Sequence, residues 1–372
     1  MASKLFESMR IGPVELPNRI AVAPMCQYSA HDGCADADWH PQHWTTLAMS
    51  GAGLVMIEAT GVQRAGRISH GCLGLYSDAN EAAVARGVAA AKRFALPGTR
   101  FGIQLQHAGR KGSAQRPFEG GKPLSAGEDA WVTVAPSARP FAPDWPVPEA
   151  LAAAAIPALV ASYREAALRA VRAGIDVIEL HAAHGYLLHQ FLSPLANGRS
   201  DEYGGSPENR MRLPLEIARA VRAALPVGAA FGVRITGSDW TNDGIVPADA
   251  VTFARRLKDL GTDYVCVTSG GIAGGISIPL SPGYQVPFAA KVRAETGICT
   301  RAVGLVTEPE HAESIVAGGE ADCVALARAF LDDPRWGWHA AQRLGANIAY
   351  PPPYDRVRPA QWPPAAARLG AK

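Results

Sequence analysis

Asp176-Val-Ile-Glu-Leu-His-Ala-Ala-His-Gly-Tyr186 begins as an apolar, β-branched run and ends in two histidines three residues apart, with a tyrosine two further on. Its first five residues read as a buried strand, so His181 falls at the strand's C-terminal end and His184 and Tyr186 in the turn beyond. Seven other stretches share the apolar part of this pattern: Ile20 to Pro24, Leu54 to Thr60, Phe101 to Gln106, Ala229 to Thr236, Tyr264 to Ser269, Cys299 to Gly304 and Cys323 to Arg328. Between most of them lie segments of helical period or composition, namely Glu81 to Phe94, Ala158 to Ala173, Ala248 to Leu260, Phe288 to Thr296 and Glu308 to Ala317. Gly174, Gly261 and Gly297 stand where a helix needs a left-handed residue before the next strand. Strand and helix in eightfold alternation predict an α/β protein, a (β/α)8 TIM barrel. A doubly wound sheet would also alternate, but its Gly-rich turn, G-x-G-x-x-G, is missing after the first strand.

The stretch from Arg110 to Glu149, rich in Gly and Pro and carrying Trp131 and Trp145, reads as an excursion after the third strand that covers the barrel mouth. The chain therefore divides into a barrel over 1–350 and a proline-rich arm over 351–372, whose start at Pro351-Pro-Pro353 is not expected to be helical. With 372 residues, 48% hydrophobic, 19% charged and a net charge of +2, the composition is that of a soluble enzyme with a large core. The near-neutral balance speaks against nucleic acid as a partner. No apolar run long enough for a membrane span and no signal-peptide pattern are present, so a cytoplasmic location is expected. The six cysteines form no C-x-x-C pair, which points to reduced thiols and away from a disulfide framework or an iron–sulfur cluster.

In a barrel, chemistry gathers at the C-terminal ends of the strands. Here those ends carry Pro24-Met-Cys26-Gln-Tyr28, Gln104-Leu-Gln-His107, the pair His181 and His184, Arg234, Gly304, and Ala327-Arg328. Gly304 and Arg328 follow strands seven and eight, where this fold often binds phosphate through backbone N–H groups and a basic side chain.

Four motifs in order, Ala23-Pro-Met-Cys-Gln-Tyr28, Gln104-Leu-Gln-His-Ala-Gly-Arg-Lys111, Glu179-Leu-His-Ala-Ala-His-Gly-Tyr186 and Asp201-Glu-Tyr-Gly-Gly-Ser-Pro-Glu-Asn-Arg210, resemble the old yellow enzyme family of FMN-dependent ene reductases. The Cys26 and Tyr28 pair is similar to its thermophilic-like branch. The resemblance implies non-covalent FMN, NADPH or NADH as electron donor, and small activated alkenes as substrates. It also implies that His181 and His184 bind the substrate oxygen, with His181 touching the cofactor too, and that Tyr186 donates a proton. Arg234 is expected beside flavin N1 and O2, Gln104 at the pyrimidine edge, and Pro24, Met25, Cys26 and Ala59 against the ring. Gly304, Ala327 and Arg328 are expected to hold the phosphate, and Tyr28 to touch the substrate region. In the thermophilic-like branch a terminal arginine crosses a dimer interface, which would be Arg356 here, in a homodimer or a dimer-based tetramer.

Two departures limit the resemblance. A tryptophan that related xenobiotic reductases carry after strand seven is replaced by Arg301-Ala-Val303-Gly304, and strand eight ends in Ala327-Arg328 where glycine-arginine is common. The residue types leave another chemistry open, a zinc hydrolase with Cys26, His181 and His184 as metal ligands. Lys111 matches a family lysine, but a long basic residue on a loop is ordinarily solvated. The Asp201 to Arg210 motif is expected to organise the loop and start the next helix.

Overall fold

The computed structural model describes residues 3–367. A short hairpin opens the chain, β1 (Met9–Ile11) against β2 (Val14–Leu16). Eight parallel strands then close a barrel: β3 (Ile20–Val22), β4 (Leu54–Gly61), β5 (Arg100–Gln106), β8 (Val177–Ala182), β9 (Ala230–Thr236), β10 (Tyr264–Thr268), β11 (Cys299–Ala302) and β12 (Cys323–Leu326). A two-residue pair, β6 (Val134–Ala135) and β7 (Glu149–Ala150), lies in the excursion after β5. Helices α1 (Trp39–Ala48), α2 (Asp78–Lys92), α3 (Ile156–Arg172), α4 (Leu187–Leu192), α5 (Pro207–Ala224), α6 (Pro247–Asp259), α7 (Val286–Thr296), α8 (Pro309–Ala317), α9 (Arg328–Asp332) and α10 (Trp336–Arg343) complete the fold. Gly174, Gly261 and Gly297 each take a positive φ at a helix end, as their positions require.

The strands read as unbroken apolar runs because both their faces are buried. Val55, Ile57, Phe231, Val265 and Val267 point outward into the layer between sheet and helices, while Leu54, Met56, Ala230, Tyr264 and Cys266 point into the barrel. Full burial of one such side chain stabilises by roughly 1.5–3 kcal/mol. Met9, Ile11, Val14 and Leu16 of the hairpin join the inner cluster and seal the barrel at the end away from the loops that carry the chemistry. The N-terminal segment is tied down as well, since Glu313 of α8 accepts from Ser3 Oγ at 2.6 Å and from the backbone N–H groups of Lys4 and Leu5 at 2.8 and 2.9 Å.

The barrel centre is charged. Arg301 of β11 and Glu179 of β8, both fully buried, form an ion pair. Tyr264 O–H donates to Glu179 Oε2 at 2.8 Å and Gln104 Nε2 to Glu179 Oε1 at 2.7 Å, so the carboxylate is satisfied on both oxygens. Such a group tolerates a low-dielectric interior only with its partners in place.

The excursion covers the mouth as its composition suggests. Arg110 donates to the carbonyls of Arg139 and Pro140, and Trp131 Nε1 to that of Ala65. Ser206 caps α5 through Asn209 N–H at 3.2 Å, and Arg199 pairs with Asp201 at 2.5 Å, so the Asp201 to Arg210 motif has the architectural part expected of it. The arm departs from expectation: Pro352–Val357 forms a 3-10 helix. Its prolines stand at the first positions, where no N–H is needed and φ is already suitable. The last five residues of the arm lie outside the described residues.

Candidate active site

The strand register sets the site. Ala59 pairs with Gln104 and Gln104 with Glu179 across β4, β5 and β8, while one layer nearer the mouth His181 pairs with Arg234 across β8 and β9. A cleft of about 380 Å³ opens there, lined among others by Ala23, His184, Arg234, Thr268, Gly304, Ala327 and Arg328. Burial first, and the Arg234 guanidinium next, hold His181 and His184 well below the ordinary histidine pKa. Both rings are neutral at pH 7.

Their protons are placed by neighbours. His181 Nδ1 accepts from Ala183 N–H at 3.2 Å, so its hydrogen is on Nε2, which lies 3.2 Å from His184 Nδ1. His184 Nε2 is 2.9 Å from the Thr268 hydroxyl, a group that donates or accepts. When Thr268 donates, His184 carries its hydrogen on Nδ1 and the pair presents two N–H groups to one acceptor. Tyr186 packs edge-on against His181, with ring centroids 4.9 Å apart. Burial, then the Cys26 and Tyr28 side chains, push its phenol well above the ordinary value, so it stays protonated.

The turn that carries these groups is strained and firmly held. His184 and Tyr28 both take left-handed backbone angles, φ of 56° and 55°, uncommon for residues with a side chain. Gly185 has φ of 75° and lies so close to Gly271 that a Cβ would meet its carbonyl oxygen at 2.0 Å. Lys111, to which the sequence assigns no role, is half-buried here. Its Nζ donates to the carbonyls of His184 at 2.9 Å and Gly271 at 3.2 Å, and sits over the rings of Phe141 and Tyr186. Burial lowers its pKa to about 8.

Cys26 and Tyr28 follow β3. The Cys26 thiol is pushed well above its ordinary value by a hydrogen bond with Cys72 and then by burial, which removes it as a nucleophile. Glu58 Oε2 accepts from Gln27 N–H at 2.6 Å, and His40 Nε2 stands 3.2 Å from Glu58 Oε1, both side chains buried. This pair anchors the Cys26 to Tyr28 segment, and sequence reading misses it because neither residue belongs to a motif. Thr268, Gln285 and Tyr284 line the cleft and were equally unmarked, although Thr268 ends a barrel strand.

The residues fit an anionic, planar cofactor. Arg234 Nε is buried with no hydrogen-bond partner, and among the described residues neither Arg234 nor Arg328 forms an ion pair. Two unpaired cations in one cleft suit a ring that carries negative charge and a phosphate. Gln104 spends one Nε2 hydrogen on Glu179, which fixes the orientation of its amide and leaves the second N–H and Oε1 for a ring edge. Pro24 and Met25 lie in the same loop as Cys26, next to Ala23 on the cleft wall. Arg356 is exposed on the 3-10 helix of the arm and is not part of the cleft of its own chain. The zinc alternative is not supported: among the described residues no group of three or more His, Cys, Asp or Glu is placed to hold a metal, and the Cys26 thiol is hydrogen-bonded to Cys72.

A barrel whose mouth combines neutral imidazole donors, a phenol and unpaired cations is the scaffold of a flavin oxidoreductase. The family described as NADH:flavin oxidoreductase / NADH oxidase matches residues 4–347, and the chain belongs to it. It is 42% identical over 358 residues to an NADPH dehydrogenase of Geobacillus sp. (strain WCH70), covering 96% of this chain and 99% of that one. Morphinone reductase superposes with a TM-score of 0.75 at 29% identity, over 95% of this chain and 92% of that one. A 2-naphthoyl-CoA reductase complex shares the fold alone, with a TM-score of 0.82 at 22% identity over 92% of this chain; the chain spans 52% of its length. The protein is thus an NAD(P)H-dependent, FMN-using oxidoreductase of the old yellow enzyme family. No helix among the described residues is long and apolar enough to cross a membrane.

Proposed function

We propose that this enzyme reduces the activated C=C bond of α,β-unsaturated carbonyl or nitro compounds in a ping-pong cycle, with NADPH or NADH oxidised first and the alkene reduced second in the same pocket. The observation that carries the reading is the convergence of His181 Nε2 and His184 Nδ1 at 3.2 Å, beside a Tyr186 phenol that keeps its proton. FMN, when bound, supplies the hydride. His181 and His184 donate to the substrate's carbonyl or nitro oxygen and stabilise the charge that grows there as the β-carbon is reduced. Being neutral, they hold that charge without protonating it, and Tyr186 delivers the proton to the α-carbon.

The remaining side chains are assigned to binding. Arg234 would sit at the electron-rich edge of the cofactor ring, where its fixed cation would favour negative charge on the ring. Gln104 would bind the ring edge through its amide, Pro24, Met25, Cys26 and Ala59 would pack beside it, and Gly304, Ala327 and Arg328 would hold the phosphate. Tyr28 faces the substrate. Arg356 reaches the pocket of a second copy, its arm stiffened by the prolines before it and its guanidinium able to stack and hydrogen-bond at once. The enzyme then works as a dimer or a dimer-based tetramer in the cytoplasm.

The test begins with the purified protein, which is expected to be yellow, to release FMN on acid precipitation, and to consume NADPH when an enone such as 2-cyclohexenone is added. FAD in place of FMN, or NADPH consumption that no enone, maleimide or nitroalkene stimulates, rejects the reading. In the same assay, a chain ending before Tyr354 is expected to stay folded and keep FMN, to dimerise more loosely and to bind substrate more weakly.

A further inference from the structure

We propose that His189, fixed by Asp239, is a positioning residue that sets the His184-Gly185-Tyr186 turn; the inference rests on the ene-reductase reading of that turn. His189 and Asp239 are fully buried behind the site, on α4 and in the loop after β9. His189 Nδ1 accepts from Gly185 N–H at 2.8 Å, and the Thr236 hydroxyl lies 3.3 Å from the same atom. A nitrogen that accepts a backbone N–H carries no proton, so the ring's single hydrogen is on Nε2, which stands 2.9 Å from Asp239 Oδ1, bent away from the ideal hydrogen-bond line.

Asp239 is itself held. Its Oδ2 accepts from Ser193 Oγ at 2.7 Å and from Ile245 N–H at 2.9 Å. The carboxylate is therefore held against Nε2, where its charge favours the tautomer that Gly185 N–H requires. The next residue of α4 completes the grip, since Gln190 Nε2 donates to the Gly185 carbonyl at 2.7 Å. Both backbone groups of Gly185 are thus bonded by consecutive side chains of one helix. The left-handed His184 that precedes Gly185 and Tyr186 is a strained conformation, which persists only where the surroundings over-determine it. A shift of the turn would part His184 Nδ1 from His181 Nε2 and move the phenol. His189 touches neither substrate nor cofactor, and acts through the turn.

The test uses FMN-loaded protein and three variants. His189→Leu removes the acceptor, His189→Asn keeps an oxygen that can receive Gly185 N–H, and Asp239→Asn offers an amide N–H to Nε2 and so drives the ring's hydrogen onto Nδ1, facing Gly185 N–H. Three quantities are measured: exchange protection of the Gly185 amide, affinity for 4-hydroxybenzaldehyde, and the rate at which pre-reduced enzyme reduces 2-cyclohexenone. His189→Leu and Asp239→Asn are expected to lose at least tenfold in each, and His189→Asn to recover most of it. Leu and Asn variants within twofold of wild type overturn the proposal, and so does an equal loss in His189→Asn and His189→Leu. If His189→Leu does not fold, the near-isosteric Asp239→Asn decides alone. A wild-type enzyme that oxidises NADPH but reduces no alkene rejects the reading of the site, while amide exchange and phenol affinity still report on the turn.

Discussion

Replacing His184 with alanine is expected to slow reduction of an enone by the pre-reduced enzyme by about a hundredfold, because one donor to a developing oxyanion is worth roughly 3 kcal/mol. The loss should fall on the alkene half of the cycle, where negative charge builds on oxygen, and much less on oxidation of NADPH. Burial and Arg234 keep both histidines neutral, so the defect should not be rescued by lowering the pH to 6. Tyr186→Phe separates the two tasks. It removes the proton donor and leaves both N–H groups, so weakly activated enones should slow while maleimides and nitroalkenes barely change. Stopped-flow measurement of the two half-reactions checks this, and equal rates for wild type and His184→Ala in the alkene half would show that the pair does not hold the substrate oxygen.

Arg301→Leu is expected to destabilise the barrel by about 3–5 kcal/mol, the usual cost of leaving one member of a buried pair without its partner. Glu179 would keep the Tyr264 and Gln104 hydrogen bonds but lose the cation that neutralises it. Glu179→Leu should cost a similar amount and also release Gln104 Nε2, which lets the amide turn and weakens FMN binding. The double change to leucine at both positions should be less harmful than either single change, since no charge is then stranded. Urea unfolding at saturating FMN measures all three. Single variants within about 0.5 kcal/mol of wild type, in the range of ordinary surface changes, would mean that water or rearrangement reaches the barrel centre.

All eight strands were legible because burial on two faces leaves a continuous apolar signature, and the motif residues at their ends fall around one mouth. What escaped was set by residues far apart in the chain. Lys111 looks like a solvated loop lysine until the carbonyls of His184 and Gly271, 73 and 160 residues later, close around it. The polarity of Arg301 gave no hint that it occupies the barrel centre, because its partner Glu179 lies 122 residues earlier. The 3-10 helix at Pro352–Val357 is hidden behind prolines, which break a helix in its interior and not in its first turn. The hairpin β1–β2 escaped for another reason: two three-residue strands are too short for a period to declare itself.

That hairpin leaves the ribosome before any of the eight staves it must seal. Leu5 waits for Glu313, 308 residues further along the chain, and at ordinary rates of synthesis the delay is about 15–60 s. Through that interval the apolar edge formed by Met9, Ile11, Val14 and Leu16 has no barrel to enter. Its shortness and the outward pairing of Arg10 with Glu15 make it a poor template for other chains. The segment that leads into the floor of this barrel is therefore tied down only after translation has passed α8, the helix that carries Glu313.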